Sequence, residues 1–188
     1  MGSLSKSTVI MVFLYSLLVP SHYVYSAQAL NGQPFNTHTS VAMTALPTFK
    51  LVGTATMKWL WFDIYQAKVL TPTGTYTTSQ RPLSLYLIYK RAIGAEQLIQ
   101  STIDEWERQG IDYRSEWVSL LSDIWPNVAA QDELILYVDE ASISHFFYNN
   151  KFIGSIDDAL FASAFTAIWL SKNTLKPALR NQLIGLKP

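Results

Sequence analysis

Several side chains able to do chemistry stand where the sequence is otherwise apolar. Lys58 precedes Trp59-Leu60-Trp61, and Lys90-Arg91 closes an apolar run that begins at Leu83. Tyr65 and Tyr89 carry hydroxyls into apolar segments. Tyr113 lies one turn before Trp117, a spacing that turns it toward the inward-packing face of a helix. A buried cation beside tyrosine hydroxyls can hold a carboxylate or an enolate-like oxygen. The plainer reading is that Lys58 and Arg91 snorkel from strand ends while the tyrosines fill core. A third chemistry is open on the same residues: Tyr113 or Glu116 as general acid or base, with a buried glutamate tuned toward neutral pH.

Other site types lack their residues. Cysteine is absent, which removes disulfides, a thiol nucleophile and thiolate metal ligation. Of the three histidines, His22 falls within the N-terminal segment read below as a cleaved signal, and His38 and His145 have no neighbour at ligand spacing, so no metal site is expected. There is no nucleophile elbow, phosphate loop or dinucleotide fingerprint, so no cofactor is expected. Asp157-Asp158 reads as a helix start, where negative charge is favoured, ahead of a catalytic carboxylate pair. Fourteen basic and fourteen acidic residues give zero net charge, which argues against nucleic-acid binding. Hydrophobic content of 49% with only 15% charged residues excludes disorder.

The elements that must position these residues follow from periodicity. Lys50 to Leu70 reads as two strands, with Gly53 marking a bulge and Trp59 and Trp61 on one buried face. Thr71-Pro72-Thr73-Gly74 is a turn. Leu83 to Lys90 is a strand apolar on both faces and therefore central. Ala95, Leu98, Ile99, Thr102, Ile103 and Trp106 fall at helical spacing, and Gly110 ends that helix. A second helix runs from about Arg114 to Ile124 before Pro126. Glu133 to Asp139 is a strand, and Ser144 to Tyr148 pairs with Phe152-Ile153 across Asn149-Asn150-Lys151. Ser155 to Asp158 suggests a capping box opening a third helix, and Thr174 a cap for a short fourth one. Strands, two helices, strands and two helices make an α+β domain with helices on one face of a mostly antiparallel sheet.

The N-terminus is set apart. Lys6 precedes an apolar run from Val9 to Val19 that Pro20 ends, with small residues at Val24-Tyr25-Ser26 and Ala27-Gln28-Ala29. That is the pattern of a secretory signal over residues 1–29, too short for a comfortable membrane span. The mature domain is expected over residues 30–188, exported to a bacterial periplasm, with no lipoprotein cysteine and no stable membrane span after cleavage.

Five stretches carry a family likeness: Lys58 to Leu70, Leu87 to Ile93, Gly110 to Trp125, Phe147 to Ile156 and Asp158 to Leu170. Together they resemble the chalcone isomerase-like family, in its bacterial exported branch, from about Leu51 to Leu183. The resemblance implies an open-faced β-sandwich, a large antiparallel sheet backed by a helical layer. In that family some members close a chalcone into a flavanone, others bind fatty acids, and others are non-catalytic partners. Carried over residue by residue, Tyr113 falls at the catalytic tyrosine, Glu116 at the lysine, Leu120 at the asparagine, Leu60 at the threonine and Thr48 near the arginine. An acid in place of the lysine would repel an anionic intermediate, so chalcone isomerase activity is not expected.

Three functions compete on this reading. The first is a non-catalytic binder of a small apolar or fatty-acid-like ligand between sheet and helices, anchored by Lys58 or Arg91 with Tyr65 and Tyr113. The second is an acid/base enzyme using Tyr113 or Glu116. The third is an envelope protein that binds a protein partner. A closed cavity would favour the ligand, and an exposed apolar patch the partner.

Overall fold

The computed structural model describes residues 48–186, and the N-terminal stretch read above as a signal lies outside them. Six strands form one antiparallel sheet in chain order: β1 (Lys50–Trp59), β2 (Phe62–Thr71), β3 (Leu83–Tyr89), β4 (Glu133–Val138), β5 (Ser144–Tyr148) and β6 (Lys151–Ile156). Helices α1 (Ala95–Gln109) and α2 (Ser115–Ile124) are inserted between β3 and β4, and α3 (Ala159–Leu170) and α4 (Pro177–Leu183) follow β6. The α+β open sheet backed by helices is the architecture expected from the element order.

Strand alternation decides the faces. Leu83, Leu85, Leu87 and Tyr89 of β3 point toward the helices, in register with Val69 and Ala67 on one side and Leu134, Leu136 and Val138 on the other. The opposite face carries a row formed by Lys68, Tyr86, Ile135 and Phe147. Between sheet and helices, Trp106 is fully buried and its indole donates to the Ala164 carbonyl at 2.9 Å, tying α1 to α3. Trp117, Phe161 and Phe165 pack edge-to-face on Trp106, and Trp125, Phe146 and Trp169 pack edge-to-face on Phe165. Such rings contribute both area and quadrupole geometry.

Two glycines are dictated by close approach. A Cβ on Gly53 would lie 2.0 Å from the Gln182 carbonyl oxygen, so α4 rests directly on β1 there. A Cβ on Gly154 would lie 2.7 Å from Ile124, where α2 meets β6. The β5–β6 turn holds Asn149 and Asn150 at φ of 47° and 65°, which asparagine tolerates best after glycine.

Three local expectations are corrected. Asp158 is itself the N-cap of α3, accepting from the Leu160 and Phe161 amides, so the proposed capping box from Ser155 does not form. Lys176 stands at the N-cap of α4 with Pro177 inside the first turn, and Thr174 instead donates to the Ile168 carbonyl. Trp59 and Trp61 do not share a buried strand face, because β1 ends at Trp59 and Trp61 lies in the hairpin turn, 81% exposed.

Candidate functional site

A cleft of about 310 Å³ opens at the margin of the fold, between the edge strand β1 and the start of α4. Its lower wall is Thr56, Met57 and Lys58. Alternation along a regular strand would send Met57 and Lys58 to opposite faces. The β1–β2 register shifts between these two residues, and a bulge of this kind re-aims side chains. As β1 is the outermost strand, both neighbours reach the same opening.

The upper wall is the segment Leu175 to Leu179, with Gln182 one turn further on. Local chemistry fixes it. Pro177 needs no hydrogen bond at the first helical position. Thr174 Oγ1 donates to Ile168 O at 2.8 Å, and Arg180 Nε donates to Leu170 O at 2.8 Å, so α4 is tied back to the end of α3. Leu179 and Leu183 anchor α4 in the core, while Leu175 stays 57% exposed at the cleft mouth.

The lining is apolar apart from Thr56, Gln182 and two cations, Lys58 and Lys176. Lys58 pairs with Asp63 at 3.3 Å, but the two side chains are 62% and 47% exposed. A pair this open contributes little, so Lys58 is free to exchange Asp63 for a ligand carboxylate.

The four residues singled out as a ligand set are not gathered into one site. Lys58 and Arg91 are exposed, which corrects the expectation of a buried cation. Arg91 lies over the Phe62 ring, 5.7 Å from its centroid. Tyr65 pairs with Met57 across β1 and β2, so it sits one strand inward from the cleft. Its hydroxyl accepts from Trp169 Nε1 at 2.9 Å. Burial pushes that hydroxyl up to about 12, the Trp169 bond pulling weakly the other way, so it stays neutral. Tyr113 belongs to the helical layer, its ring stacked on Trp106 at 5.5 Å. Its hydroxyl donates to Glu107 at 3.1 Å, and this bond raises its pKa. Glu116 is exposed on the first turn of α2, and Leu60, at the family's threonine position, lies in the β1–β2 turn.

The expected cleft between sheet and helical layer is filled by the aromatic side chains described above. Among the described residues an open cleft lies beside β1, and Met57, Leu175, Lys176 and Leu179 line it without having been foreseen. The Met57/Lys58 bulge has no composition signal, and contact between β1 and α4, more than a hundred residues apart, cannot be read from local pattern.

Comparisons with known proteins agree with this architecture. The chain is 27% identical over 136 residues to an uncharacterized protein of Haemophilus influenzae, covering 71% of this chain and 67% of that one. The crystal structure of a fatty-acid binding protein of Arabidopsis thaliana superposes with a TM-score of 0.53 at 11% identity, over 73% of this chain and 87% of that one. Residues 27–185 match the family described as chalcone isomerase-like. The protein belongs to the chalcone isomerase-like family.

Proposed function

We propose that the protein is an exported, non-catalytic binder of a small apolar carboxylate of fatty-acid type, held in the β1–α4 cleft. The observation that carries this reading is the pairing of apolar walls with two lysines, Lys58 and Lys176, and no carboxylate among the lining residues. Apolar surface supplies affinity and a few placed charges set orientation. The volume is at the low end for ligand clefts, which favours a short or medium acyl chain over a long one. The likeness in fold to a fatty-acid binding protein supports the same class. The secretory pattern before residue 30 supports export, and a periplasm is the simplest destination.

The acid/base alternative finds less support in the geometry. Tyr113 is engaged by Glu107, and Glu116 is exposed on α2 and does not line the β1–α4 cleft.

The test is equilibrium binding of decanoate to three proteins. Wild type binds; Lys58→Gln/Lys176→Gln binds at least about tenfold more weakly; Ala178→Trp, which fills the cleft without changing charge, does not bind. Undiminished binding by both variants would place the ligand elsewhere and end this reading.

A further inference from the structure

The β1–β2 hairpin ends in an apolar tip that makes no use of the fold. Leu60, Trp61 and Phe62 are 62%, 81% and 51% exposed. Leu60 also holds φ at 54°, a left-handed conformation that a leucine adopts at a cost and that hairpin turns usually give to glycine or asparagine. The tip therefore carries two penalties, backbone strain at Leu60 and solvated apolar surface, and of its three apolar residues Phe62 alone has a cation over its ring. Strain retained at a surface position points to function.

Cations surround the tip. Lys58 precedes it, Arg91 lies over Phe62, and Lys90 adjoins Arg91, its backbone amide bonded to Ile64 O at 2.9 Å. Among the described residues, Asp63 is the single acid at this corner. The next ones, Asp132 and Glu133, lie at the start of β4, two strands further in, and Asp132 is already held by Tyr148 and Asn149. An indole beside basic side chains is the combination that suits the water–lipid interface: rings enter at the headgroup level while cations meet lipid phosphates.

We propose that this hairpin tip docks the protein on an anionic bilayer, inserting Leu60 and Trp61 to headgroup depth with Lys90 and Arg91 against the phosphates. The charge complementarity selects a lipid surface over an apolar patch on a second copy, which would bring like charges together. Docking is independent of whether the cleft takes a ligand, because neither Leu60 nor Trp61 lines it.

The experiment uses the protein purified as its host processes it, with large unilamellar vesicles of phosphatidylcholine alone or mixed equally with phosphatidylglycerol. Wild type co-sediments with the anionic vesicles, more weakly with the neutral ones, and less as salt rises. Brominated lipid quenches its tryptophan emission, and most of that quenching is lost in Trp61→Phe, which still sediments, the half-buried Trp59 at the base of the tip keeping the remainder. Leu60→Ser/Trp61→Ser keeps the wild-type melting temperature and binds at least about tenfold more weakly. Sedimentation of that double variant at the wild-type level, or unquenched wild-type emission on the vesicles, would overturn the proposal. So would a dimer by light scattering that Leu60→Ser/Trp61→Ser abolishes, since a second copy would then cover the tip.

Discussion

Replacing Gly53 with alanine is the sharpest perturbation of the cleft, because the new methyl collides with backbone. Its Cβ would stand 2.0 Å from the Gln182 carbonyl oxygen and 2.8 Å from that of Leu183. Neither can rotate aside, so α4 must lift from β1. That helix is held by Leu179 and Leu183, 9% and 0% exposed. Burying one leucine is worth about 1.5–3 kcal/mol, so complete release would cost about 3–6 kcal/mol. A partial lift keeps some contact, and about 3 kcal/mol is expected. At roughly 3 °C per kcal/mol for a domain of this size, the melting temperature falls by about 10 °C. Urea unfolding followed by tryptophan emission measures the loss. Leu183→Ala weakens the same contact, by about 2–5 kcal/mol. If both act through α4, the double variant loses less than the sum. A Gly53→Ala protein within about 0.5 kcal/mol of wild type, or strictly additive effects, would refute this account of how α4 is seated.

Three further outcomes follow from the structure. Tyr65→Phe leaves the Trp169 indole N–H without its 2.9 Å acceptor and should cost about 1–3 kcal/mol in urea unfolding; no loss would mean that this bond is not kept in solution. Burial alone would raise Asp158, but the Trp117 indole, the Leu160 and Phe161 amides and Arg114 together hold it below the usual carboxylate range. A depressed folded-state pKa gives stability that is present above the unfolded value, near pH 4, and lost as pH falls below it. Asp158→Asn, which still caps α3, should therefore show a shallower acid decline between about pH 4 and pH 2; parallel curves would contradict that. Finally, Trp61→Phe should remove most of the emission quenched by iodide, since Trp106, Trp117, Trp125 and Trp169 are buried and Trp59 is half-buried while Trp61 is 81% exposed; retention of that fraction would mean the tip is covered.

Much of the fold was legible because its periodicities are clean. The α1 stripe ending at Gly110 and the two-faced apolar β3 gave both layers, and the Asn149-Asn150 turn fixed the last hairpin. Caps were less legible: Ser155 and Asp158 both suit a helix start, and only the amides of Leu160 and Phe161 show which one is used. Trp59-Leu60-Trp61-Phe62 misled, since a run of β-formers reads as a strand interior although here it forms a hairpin tip. The site was only partly visible. Lys58 was found from its charge in an apolar strand, but its partner cation Lys176 sits in a loop of ordinary composition and is brought close only by the docking of α4 on Gly53. Tyr65 and Tyr113 were drawn in by their hydroxyls, which serve Trp169 and Glu107 instead.

Lys58 also links the two proposals. It lines the cleft and is two residues from Leu60, so docking of the tip would bring the cleft mouth to the lipid surface.

The binding reading is tested most directly by a ¹H–¹⁵N correlation titration of the protein with decanoate. The account predicts saturable shifts concentrated at Thr56, Met57 and Lys58 on β1, at Leu175 to Leu179, and at Gln182. Shifts centred on Tyr89, Trp106 and Trp125 in the interlayer core, or no shifts at millimolar ligand, would contradict it.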